Sequence, residues 1–136
     1  MTRYLLPYVA TGSVLLCLDL IWLRLASEAI FRPEVGPLLS DNPNLSAAAL
    51  FYLLYVGGLV YFAVWPALNA HSLALAVLNG AVLGFIAYMT FDLTSLAILK
   101  GWSVKVAILD IAWGTFVSAV AASAGYAATV AFVGMR

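Results

Sequence analysis

The stretch SAAALFYLLYVGGLVYFAVWPAL, residues 46–68, runs without a single charged residue. A helix rises about 1.5 Å per residue, so about 20 mostly apolar residues reach across a hydrocarbon core about 30 Å thick. A run of this length and polarity fits a bilayer far better than a soluble core. The whole chain agrees: 65% of its 136 residues are hydrophobic and 9% are charged, against roughly 45–50% and 25% in soluble domains. Six basic residues balance six acidic ones, so no basic patch exists for nucleic acid.

Three more stretches meet the same length criterion, giving spans at about 4–26, 46–68, 73–99 and 106–134. The expected fold is therefore all-α, an integral membrane protein of four transmembrane helices packed as a compact bundle, one domain over 1–136. The first stretch follows Arg3 and has a signal-like start. Its apolar part exceeds the roughly 7–15 residues of a signal h-region and no A-x-A site follows, so it reads as a retained helix. Cys17 lies inside it and reads as a small buried apolar residue.

The connections are unequal. His71 and Lys100–Lys105 mark short turns, whereas SEAIFRPEVGPLLSDNPNL carries three prolines and a glycine. Its apolar residues suggest a short amphipathic piece before Asn42-Pro43 breaks it, with an irregular solvated loop as the equal alternative. Asn44-Leu45-Ser46 has the spacing of a glycosylation acceptor, a motif common by chance. Four crossings would put both termini on one side, with Arg3 and Arg136. Arg24, Arg32, Lys100 and Lys105 then flank the other, which the positive-inside rule assigns to the cytoplasm.

Three aspartates interrupt the apolar runs. Asp19 and Asp110 each stand in Leu-Asp-x-x-Trp, and Asp92 stands in TFDLTSLA. In an antiparallel bundle they lie about 6–10 Å from helix ends on one side, at about 1.5 Å per residue. Helical spacing aligns Tyr8, Gly12, Leu15, Asp19 and Trp22; Gly80, Gly84, Tyr88, Asp92 and Ser95; and Asp110, Gly114, Ser118 and Ala121. Each aspartate shares a face with glycine, and small residues let membrane helices approach closely. Gly12, Gly80, Gly84 and Gly114 are thus the expected packing positions. An aspartate at mid-bilayer costs about 2.5–3.5 kcal/mol, less when it faces inward and is hydrogen-bonded. Tyr52, Tyr55, Tyr88, Trp22, Trp113, Thr90, Thr94 and Ser95 are the candidate donors. Arg24, Lys100 and Lys105 form a rim of cations able to reach inward.

A lone histidine excludes histidine-cluster oxidases and paired haem ligation, no Cys/His cluster offers a zinc site, and no mid-span lysine is available for a retinal link. No cofactor and no metal are implied. Tyr61, Trp65, Trp102 and Tyr126 read as an interfacial belt. The segments LDLIW, FRPEVGPLL, LFYLLYVGGLVYFAVWPAL, GFIAYMTFDLTSLAILKGW and DIAWGT together resemble the bacterial membrane-protein family called domain of unknown function 2177, over nearly the whole chain. The family pattern has a Tyr before the third-span Asp and an Asn after its Thr, where this chain has Phe91 and Ser95. The resemblance implies a four-helix inner-membrane protein of bacteria, with gene neighbours in fatty-acid modification and photo-oxidative stress. It brings no activity with it.

Three functions fit these residues. The favoured one is a non-enzymatic lipid- or isoprenoid-binding accessory subunit, in which Asp19, Asp92 and Asp110 orient a head group walled by Trp22, Tyr88 and Trp113. Membrane lipids, a homo-oligomer or a larger membrane complex would be its partners. A dimeric proton-coupled carrier and a membrane enzyme using an Asp as acid or base are the alternatives.

Overall fold

The computed structural model describes residues 2–134 and is all-helical. Helix α1 (Thr2–Ala26) continues through a π-helical turn (Ser27–Phe31) into the short α2 (Arg32–Val35). An irregular link leads to α3 (Leu45–Leu59), a second π-helical turn (Val60–Val64) and α4 (Trp65–Ala70), which together form one rod, Leu45–Ala70. Helices α5 (Leu73–Ile98) and α6 (Val104–Val133) complete the chain. Helix α6 shares its most extensive interface with α5 and the next with α1.

Among the described residues three helices are long and apolar enough to cross a membrane: Leu45–Ala70, Leu73–Ile98 and Val104–Val133. The expectation of four transmembrane helices is corrected accordingly, to an all-α membrane bundle with three apolar spans. Helix α1 is not among them. Pro7, Thr11, Gly12, Ser13 and Asp19 interrupt its apolar run and Arg3 and Arg24 stand at its two ends; an aspartate at mid-bilayer would cost about 2.5–3.5 kcal/mol. The argument that both termini share one side rested on four crossings and goes with it. Arg136, which entered that argument, lies outside the described residues.

Polarity is distributed as in a protein surrounded by lipid. Leu54, Ile98, Ile108 and Phe116 point outward, whereas Thr11, Asp92, Ser118 and Thr129 are fully buried. The apolar interior gathers Leu15, Tyr55, Val56, Leu59, Val64, Val117 and Ala121. Cys17 is exposed rather than buried; the buried face of α1 is instead Pro7, Thr11, Gly12, Leu15 and Asp19.

Local chemistry sets the boundaries. Asn44, Ser72 and Ser103 each accept a hydrogen bond from the backbone N–H three residues on, at 3.0–3.3 Å, so they cap α3, α5 and α6. Asn44 thus has a structural role inside the apparent acceptor motif. His71 ends α4 in the left-handed conformation (φ 52°) and is exposed. Ser103 also donates to Glu34 at 3.0 Å, and Lys105 approaches the same carboxylate at 3.8 Å. With Val35 buried, these contacts hold the long connection against the α5–α6 turn.

Both π-helical turns precede a proline. Pro66 has no N–H to offer the carbonyl of Phe62, four residues back. The Trp65 N–H reaches Val60, five back, and the freed Phe62 carbonyl accepts from Asn79 Nδ2 of α5 at 3.1 Å. Pro33 is preceded likewise, with the Arg32 N–H bonded to Ser27. In lipid a freed carbonyl needs a protein partner. We expect Asn79→Ala to lower stability by about 0.5–1.5 kcal/mol, read as a melting shift in detergent; no shift would mean the carbonyl finds another donor.

Candidate functional site

Close helix approach builds the site. A Cβ on Gly80 would lie 2.8 Å from the Ser118 carbonyl oxygen and 2.9 Å from the Ala122 methyl. One on Gly84 would strike the Gly114 carbonyl and the Ser118 side chain, and one on Gly114 would enter the Tyr88 ring. The α5–α6 interface is therefore backbone on backbone through Gly80, Gly84 and Gly114. Gly12 meets Val56 at 3.4 Å, a looser contact between α1 and α3.

That proximity gathers the three aspartates, which are 6% (Asp19), 0% (Asp92) and 8% (Asp110) exposed. Their environments differ. Asp19 has a donor on each oxygen: Tyr52 Oη on Oδ2, and Trp113 Nε1 on Oδ1 at 2.9 Å. Trp22 stacks flat on Trp113, with centroids 4.8 Å apart and planes 6° from parallel. The two Leu-Asp-x-x-Trp segments thus meet in space: the tryptophan of the second binds the aspartate of the first, and the two indoles stack.

Asp92 is the opposite case. Asp110 and Trp102 lie within hydrogen-bonding reach of it, although by strict distance and angle no bond to its oxygens or from the buried Trp102 Nε1 is complete among the described residues. A buried polar group left unpaired costs about 1–3 kcal/mol. Three other candidate donors are engaged elsewhere. Tyr55 pairs with Ser118 at 2.6 Å, and Thr90 and Thr94 bond back to their own helix. The Trp22 nitrogen has no partner.

None of the rim cations meets the aspartates. Lys105 turns to Glu34, Arg24 and Lys100 are exposed, and among the described residues no Lys or Arg pairs with Asp19, Asp92 or Asp110. Among the same residues no three His, Cys, Asp or Glu side chains are gathered for a metal ion.

Beside the aspartates a groove of about 440 Å³ opens between helices, lined by Leu23, Phe31, Phe51, Ala87, Tyr88, Phe91 and Asp110. Six of these seven are apolar or aromatic, so it is a greasy channel ending on one carboxylate. Tyr88 forms part of its wall and is close to Asp19 as well as Asp110. Phe31 comes from the π-helical turn after α1, so the connection between α1 and α3 supplies part of the groove's lining. Of the residues the sequence nominated, Tyr88 and Asp110 line the groove, Asp92 lies behind Asp110, and Asp19, Trp22 and Trp113 form a bracing cluster to one side. Trp102, read as an interfacial residue, turns its nitrogen inward to Asp92. Nothing in its sequence position distinguished it from a belt tryptophan. Another hollow, of about 370 Å³, lies by Arg3, Tyr4, Trp65, Leu68 and Asn69 and contains no carboxylate.

A family model described as "Predicted membrane protein (DUF2177)" matches residues 4–127. No curated protein and no solved structure matches the chain.

Proposed function

Because the chain belongs to the DUF2177 family of predicted membrane proteins, whose name carries no chemistry, we propose a function from the site alone: a non-enzymatic accessory subunit of the bacterial inner membrane that holds a lipid or isoprenoid. The observation that carries this is the groove, apolar along its walls and acidic at Asp110. Long-chain amphiphiles present the complementary surface, a large apolar tail and one small polar end. Asp110 and Tyr88 would receive the head, Asp92 would stand behind it, and the Asp19–Tyr52–Trp113 cluster would keep the helices in register.

The gathering of the aspartates on one side of the bundle favours binding over transport, which needs a path from both faces. A resident ligand is expected to survive purification in mild detergent and to be seen by native mass spectrometry. Ala87→Phe, which fills the groove, should remove most of it while leaving the melting temperature within a few degrees. Equal retention by the two proteins would refute the reading.

A further inference from the structure

Resting on the groove reading above, the charge balance around Asp110 extends it to the chemistry of the ligand's head. Asp110 is the one charged residue lining the groove. Behind it Asp92 is completely buried with both oxygens unpaired, and among the described residues no cation reaches either. The Tyr88 phenol and the Trp102 N–H stand nearby as donors, so what the site lacks among the described residues is a positive partner. An anionic head would add a further negative charge where the low dielectric strengthens repulsion. A cationic head would supply the missing charge. The walls point the same way: Phe31, Phe51, Tyr88 and Phe91 are aromatic, and aromatic faces attract a cation.

We infer that the groove selects long-chain amphiphiles by the sign of their head, taking a cationic amine best, a neutral alcohol less well, and rejecting a carboxylate or phosphate end. The tail supplies most of the affinity through the apolar walls. The head supplies the discrimination through Asp110, and Asp92 acts on it only through Asp110, its buried neighbour.

The test is a titration of the full chain in neutral detergent with hexadecylamine, hexadecanol and hexadecanoate, bound ligand being counted by native mass spectrometry. The tails are matched, so differences report the head. The amine should bind at least about tenfold more tightly than the acid, the scale of one desolvated cation–π contact or charge pair, with the alcohol between them. Asp110→Asn should bring amine and alcohol to within about threefold, the residue of a lost charge partner. Asp92→Asn should narrow the gap in the same direction, and it serves if Asp110→Asn does not fold. Acid binding as strong as amine binding, with Ala87→Phe abolishing both, would overturn the head selection and leave the groove standing. Binding of all three unaffected by Ala87→Phe would overturn the groove reading itself.

Discussion

A Gly84→Leu chain is expected to lose most of its resistance to thermal unfolding in detergent, while Leu83→Ala melts within a few degrees of the parent. The two positions are adjacent in sequence and opposite in consequence. At Gly84 even a methyl group meets the backbone carbonyl of Gly114 and the Ser118 side chain, and a main-chain atom cannot rotate away. Overpacking usually costs about 1–3 kcal/mol when side chains can yield; here the helices must separate, so more than about 3 kcal/mol is expected. Separation would also pull Tyr88 from the Gly114 notch, disturbing the groove wall. Leu83 is half-buried at the edge of the apolar interior, and a detergent tail can occupy the space its truncation leaves. Its loss should cost about 1 kcal/mol, below the 2–5 of a fully buried leucine. Equal melting of the two variants would show that the α5–α6 contact is not what holds the bundle.

Asp19→Leu is expected to destabilise by about 2 kcal/mol or more, because it orphans two donors at once, each worth about 1–3 kcal/mol when left unsatisfied. Tyr52 comes from α3 and Trp113 from α6, so the loss unties three helices at one point. Asp19→Asn retains one acceptor oxygen and should cost about half as much. Asp92→Asn should behave differently. The polar neighbours of Asp92 are Asp110 and Trp102, no bond to either meets strict geometry, and an amide keeps a donor and an acceptor for both. That variant is expected to be neutral or slightly stabilising. Melting curves of the three variants in one detergent decide the matter: a larger loss at Asp92 than at Asp19 would reverse the roles assigned to the two carboxylates.

How much of this was legible in the sequence depends on the range of the interaction involved. The helices of α3–α4, α5 and α6 follow from unbroken apolar length, and their starts from Asn44, Ser72 and Ser103, because both are local properties. The first helix was legible as a helix but misjudged as a span. Its length meets the span criterion, but its run is broken by Pro7, Thr11, Gly12, Ser13 and Asp19, and how far an inward-facing, hydrogen-bonded aspartate is tolerated depends on partners from other helices. Helical spacing aligned Gly84, Asp92, Asp110 and Gly114 on faces, and those side chains are buried. Partnerships were not legible. That Trp113 would bind Asp19 and leave Asp110 alone depends on the rotation of α6 against α1, which no spacing within either helix specifies. Lys105 illustrates the same limit: its nearest carboxylate is Glu34 in the long connection, brought there by chain reversal between α2 and α3.

The bond from Asn79 to the Phe62 carbonyl makes two positions on different helices a single heritable unit. Asn79 has that acceptor only because Pro66 withholds its own donor. In a relative with an ordinary residue at the proline's position, the helix would close on itself and an amide opposite would be surplus polarity facing lipid. In one that kept the proline and lost the amide, a bare carbonyl would face hydrocarbon. The order of mutation therefore matters: neither change is neutral first, and lineages should carry both or neither, with serine or glutamine at the second position as the narrow bridge between the two states.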